Sequence, residues 1–122
     1  MTIQFAPEEC ENMSINSVSL TSLTVKDYQD MYDSFIDPGD SINPAGTCGT
    51  RSFKLLNAVD DTDLSVSWIT LSLYNAATGE WHLDFTPRGA KGTSVSVKLK
   101  ITSVEYPTKT WTSPSSVTIS VD

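Results

Sequence analysis

Apolar and polar residues alternate along most of the chain. The pattern is cleanest over residues 94–101, where Val95, Val97, Leu99 and Ile101 fall on one side and Ser96, Lys98 and Lys100 on the other. A period of two is that of a strand with one face in a core and one in water. The same period recurs at Val117, Ile119 and Val121, which predict a last strand. Over residues 80–85 it puts Trp81, Leu83 and Phe85 on one face, with His82 and Asp84 on the solvated one. Residues 66–74 are the most apolar stretch. There Ile69, Leu71 and Leu73 point inward, and Trp68, Thr70, Ser72 and Tyr74 take the other phase. Asn75 to Gly79 joins these two strands as a hairpin turn whose glycine can adopt a positive φ. Residues 51–56 form a further strand with Phe53 and Leu55 on one face.

The N-terminal part is less regular. Residues 2–6 read as a short opening strand ended by Pro7, and residues 14–25 as one or two strands with a bulge. Residues 26–40 fit two templates. Tyr28, Met31, Tyr32 and Phe35 stand at i, i+3, i+4 and i+7, a helical stripe, yet the segment also reads as a strand with irregular edges, which is the assignment expected here. Loops rich in Pro, Gly or Asp fall at 41–49, 57–63, 87–92 and 106–114. Seven or eight short strands at regular spacing predict an all-β fold, a two-sheet antiparallel β-sandwich, and residues 1–122 make one domain.

Composition supports this. The chain has 17 Ser and 15 Thr among its 122 residues, many interleaved with Val, Ile and Leu, as strands prefer. Its net charge of −7 is uneven: residues 1–63 hold 11 acidic and 3 basic side chains, residues 64–122 hold 4 and 5. That sign argues against a nucleic-acid partner, whose phosphates need cations. No apolar run reaches the roughly 20 residues that span a bilayer, so no membrane insertion is expected. Met1 runs into TIQFAPEEC with neither a basic n-region nor an apolar h-region, and the expectation is a segment of a longer extracellular chain.

Trp68-Ile69-Thr70-Leu71-Ser72-Leu73 followed by Asn75-Ala76-Ala77-Thr78-Gly79-Glu80 resembles the hairpin of cadherin-like and immunoglobulin-like repeats. Cys48-Gly49-Thr50-Arg51-Ser52-Phe53 ahead of it is similar to tandem repeats in large surface proteins of ciliates and other protists. Glu105-Tyr106-Pro107 and the 115–121 strand fit the same layout, so the resemblance covers about residues 44–122. It implies a stalk, filament or adhesion role at the cell surface, with neighbouring domains or copies of itself as partners, and often calcium at the joints. The DxNDN and DRE motifs of calcium-binding cadherins are missing from this sequence.

Cys10 and Cys48 are the only cysteines. An even count in a chain of this composition predicts one disulfide and an oxidising compartment, tying the N-terminal strand to the loop before Arg51. Two core thiols are the competing reading, and a redox or metal role is weakened by the lack of a CxxC. Asn12-Met13-Ser14 is an N-glycosylation triplet. Asp37 and Asp40 in one loop and Asp60, Asp61 and Asp63 in another would supply oxygens to calcium if the loops met at one pole; otherwise they are solvated turns. Trp68 and Tyr74, with Trp111, would form a platform for stacking sugars, whereas Trp68 alternatively fills the end of the sandwich. His82 is the only histidine and has no GxSxG-type serine near it in sequence, so no enzyme is expected. The function expected is a non-catalytic extracellular structural or adhesive module; the alternative is a carbohydrate-binding module.

Overall fold

The computed structural model describes residue 10, residues 12–39, residue 41 and residues 48–122. Within them the strands are β1 (Leu23–Val25), β2 (Met31–Ile36), β3 (Arg51–Asn57), β4 (Ile69–Asn75), β5 (Glu80–Phe85), β6 (Ser94–Ser103), β7 (Thr110–Thr112) and β8 (Val117–Val121). They form two sheets, one ordered β1-β8-β6-β3 with β7 also on β6, the other β2-β5-β4. The fold is an all-β, two-sheet sandwich. The smaller sheet has the B-E-D order of an immunoglobulin-like domain, and β3, β6 and β8 supply C, F and G. Two hallmarks of antibody domains are replaced. β3 carries no tryptophan, and the cysteines lie before β1 and before β3 rather than on facing strands.

The alternating residues build the core. Val97, Leu99 and Ile101 of β6, Ile119 and Val121 of β8, and Leu83 and Phe85 of β5 are all buried. Each such side chain contributes about 1.5–3 kcal/mol by leaving water. The disulfide joins Cys10 to Cys48, Cα to Cα 5.5 Å, and both residues belong to this same core.

Three features depart from the sequence expectation. First, β1 pairs with β8 in parallel, so the larger sheet is mixed, and residues 16–22 pack without strand structure. Second, β7 and β8 pair with different stretches of β6, Lys100–Thr102 and Ser94–Val97, with a break between. At the break Ser113 satisfies both polar groups of Leu99: its Oγ accepts the Leu99 N–H at 3.0 Å, and its own N–H donates to the Leu99 carbonyl at 3.0 Å. Third, Leu56 is buried although it pairs with Lys98 in the polar phase. The turn after β3 folds back over it, bridging Leu56 to Asp63 and closing Asn57 N–H onto the Thr62 carbonyl at 2.7 Å. Residues 26–40 contain a strand, as expected, with β2 pairing to β5 over its whole length. The expected strand at residues 2–6 lies outside the described residues.

Candidate functional site

The outer face of the β2-β5-β4 sheet is built around His82. The register places Ser34 of β2 and Ser72 of β4 directly opposite it. Both are short, which leaves room for longer side chains at diagonal positions to fold over the imidazole, about 7–8 Å away along the sheet. Tyr32 does so from β2, with centroids 4.4 Å apart and planes within 12°. Tyr74 does so from β4, at 3.9 Å and 8°. Tyr74 shares the outward phase of Thr70 and Ser72, and the register shifts between Leu73 and Asn75.

His82 is therefore 8% exposed, which overturns the expectation of a solvated strand residue. Alternation had its face right but not its covering. Its Nε2 lies 2.8 Å from Glu80 Oε2, and since a carboxylate only accepts, Nε2–H is the donor in this contact. With both ring faces stacked and Nε2 engaged, the imidazole is a packing element. Tyr32 and Tyr74 remain 63% and 65% exposed, and Ile36 is exposed beside them.

The flank of the sandwich between β3 and β4 is open. A groove of about 430 Å³ lies there, lined by Asp37, Arg51, Phe53, Leu73 and Trp81 among others. Trp81 packs on Phe53 at 4.5 Å, and Phe53 on Phe35 at 5.9 Å. Asp37 holds Arg51 as a bidentate pair, Nε to Oδ1 and Nη2 to Oδ2 both at 2.9 Å, and its Oδ1 also accepts the Gly39 N–H. A second hollow of about 260 Å³ lies further along, against Phe53, Leu55, Asp63, Ile69 and Leu71.

Asp37 and the aspartates of the 60–63 turn do not share a pole. Asp37 sits at Arg51, the start of β3, whereas Asp60, Asp61 and Asp63 follow its end. A seven-residue strand puts those ends about 20 Å apart. Asp60 accepts the Thr62 hydroxyl and N–H, Asp61 faces Lys98 at 3.4 Å, and Asp63 faces Lys54 at 3.0 Å. Among the described residues no group of three or more acidic, His or Cys side chains is placed to hold a metal. Asp40 lies outside the described residues.

The three aromatics proposed as one platform are also apart. Trp68 precedes β4 instead of lying within it and packs on the core, and Trp111 of β7 packs on the core from the other sheet. Tyr74 alone is on the outer face, stacked on His82. Asn12 is exposed. The residues that sequence reasoning missed are Tyr32, Ile36 and Trp81. Only the pairing register brings them to these surfaces.

No family model matches the chain, and no curated protein matches it. Among solved structures, the N-terminal Ig1-2 module of the Drosophila receptor protein tyrosine phosphatase DLAR is similar at 10% identity and a TM-score of 0.46. The match covers 84% of this chain and 45% of that one, so the chain spans less than half of its length. The immunoglobulin-like sandwich rests on the strand order and register described above.

Proposed function

We propose that this domain is a non-catalytic extracellular structural or adhesive module that contacts a neighbouring protein through the outer face of β2-β5-β4. The observation that carries the reading is the exposed pair Tyr32 and Tyr74, held rigid by stacking on a buried His82. Tyrosine offers a large amphipathic contact at low entropic cost, and such rings are enriched in protein interfaces. The buried disulfide supports an oxidising, extracellular setting. A place among repeated domains of a longer chain fits the same picture.

Beads coated with the domain test this on cultured cell layers under flow. Tyr32→Ser with Ile36→Ser changes only the β2 side of the face; it should cut bead retention severalfold while the domain stays folded at the assay temperature, the lost stack on His82 costing only about 1 kcal/mol. Retention equal to that of the parent domain removes the face from consideration.

One observation favours a second reading, glycan binding: the groove joins Trp81 to the Asp37–Arg51 pair, an aromatic wall beside planar polar groups. Enzymatic removal of cell-surface glycans then abolishes retention, and Trp81→Phe weakens it, while the tyrosine face does not matter.

A further inference from the structure

Among the described residues the longer edge strands are β2, β3 and β4; β1 and β7 have three residues each. An edge strand exposes unpaired N–H and C=O groups, and proteins guard against unwanted pairing with charges, prolines, bulges or coverings. On β2, Asp33 stands in the inward phase opposite Leu83, and its Oδ1 takes the Ser34 N–H at 2.9 Å. On β3, Arg51 and Lys54 carry charge, and Asp63 bridges to Leu56 on the strand's outer side.

β4 has no such charge. Residues 64–79, LSVSWITLSLYNAATG, contain no Asp, Glu, Lys, Arg, His or Pro, the longest uncharged run in a chain of net charge −7. The one irregularity is the bulge at its far end, beyond Leu73. Leu73 itself is 49% exposed.

We infer that β4 is a self-association edge, pairing antiparallel with β4 of a second copy of this chain. Two copies that each carry −7 repel one another overall, and a neutral edge is where they can approach without opposing like charges. The backbone is turned the right way. Thr86 N–H donates to the Trp68 carbonyl at 2.9 Å, so Trp68 faces β5, and alternation turns the polar groups of Ile69, Leu71 and Leu73 outward. A two-fold axis through Ser72 then sets Leu71 against Leu73 of the second copy in a hydrogen-bonded pair, Thr70 against Tyr74, and Ser72 against Ser72. The two small sheets become one of six strands, closed by symmetry. This inference uses the sheet's edge, whereas the adhesive reading uses its face, and neither depends on the other.

Sedimentation of the intact domain over a concentration series is the test. The mass should double with concentration, and amide exchange at Ile69, Leu71 and Leu73 should slow in parallel. Leu73→Lys should weaken dimerisation at least tenfold. Because that variant can also disturb the groove, Ser72→Cys gives an independent readout: mild oxidation should cross-link it across the axis, while Ser52→Cys on β3 stays uncross-linked. A chain monomeric at every concentration overturns the inference, including one whose β4 is instead occupied by another protein's strand. So does a dimer in which Ser72→Cys fails to cross-link.

Discussion

The imidazole of His82 and the ring of Tyr74 lie 3.9 Å apart, centroid to centroid, with planes 8° from parallel. This contact and its mirror at Tyr32 keep the only histidine out of water on a face otherwise open to solvent. Each aromatic pair contributes about 0.5–1.5 kcal/mol beyond the area it covers. Tyr74→Ala should therefore cost about 1 kcal/mol in urea unfolding. It should also make His82 reactive to diethyl pyrocarbonate in the folded state. A histidine equally reactive before and after the change would mean that the stack does not shield it.

Cys10 and Cys48 are joined across a sequence separation of 38. Closing a loop of this length stabilises the folded state by roughly 4 kcal/mol in the chain-entropy model. Cys10→Ser with Cys48→Ser should lower the urea midpoint accordingly, and the parent should gain two hydrogens in intact mass on reduction. Unchanged stability would place the bond outside the cooperative fold.

Arg51 keeps only 9% of its side chain exposed, against 21% for Asp37. Asp37→Ala takes away its bidentate acceptor and should cost about 2 kcal/mol, less than for a fully buried pair because water reaches Asp37. Asp37→Leu combined with Arg51→Met should recover most of the loss. Equal losses in the single and double variants would show that the pair itself is not what matters.

Lys26 Nζ lies 2.6 Å from Asp122 Oδ2. Hydrogen bonding to Lys26, aided by its charge, holds Asp122 below its ordinary range, and the same contact raises Lys26. The hydroxyl and N–H of Thr62 lower Asp60 likewise. A depressed carboxylate stabilises the fold above its unfolded pKa and stops doing so as pH falls through its folded one. A raised lysine stabilises below its unfolded pKa and stops as pH rises through its folded value. Thermal melts should therefore weaken below about pH 4 and again above about pH 10.5. Asp122→Asn should flatten the alkaline limb at low salt. All three groups are exposed, so the effect is small and fades with added salt. An alkaline limb unaltered by the substitution would dismiss the pair.

Asp60, Asp61 and Asp63 are each engaged by a neighbour, Thr62, Lys98 and Lys54 respectively. Millimolar calcium is thus expected to leave the melting temperature unchanged, since only ligands that favour the folded form raise it. A rise that Asp61→Asn with Asp63→Asn abolishes would restore the calcium reading.

The strands that face the core on one side were legible from alternation alone: β5, β6 and β8 carry their inward residues where the period of two puts them. What alternation lacks is the partner. The stack on His82 depends on which residues of β2 and β4 stand opposite and diagonal to it, and that is a property of register. Trp68 sits one residue before β4, so although its carbonyl still bonds to Thr86 its side chain is free to turn onto the core. Leu56 is covered by a turn, and the parallel β1 is too short for a period to show. The strand at residues 51–56 was legible, but which ends of the strands share a pole was not, and β3 holds Asp37 and the 60–63 turn at its two ends.

The parallel pairing of β1 with β8 has a mechanical consequence. These strands stand near opposite ends of the chain, so tension between the ends loads their hydrogen bonds in shear, all at once, rather than peeling them one by one. The disulfide reroutes that load. With Cys10 bonded to Cys48, tension crosses directly to the residue just before β3, and the enclosed segment bearing β1 and β2 carries none. Reduction returns the load to the β1–β8 seam and releases about 130 Å of additional chain on unfolding, at about 3.4 Å per residue. The thiol state thus sets both the force path and the stretched length.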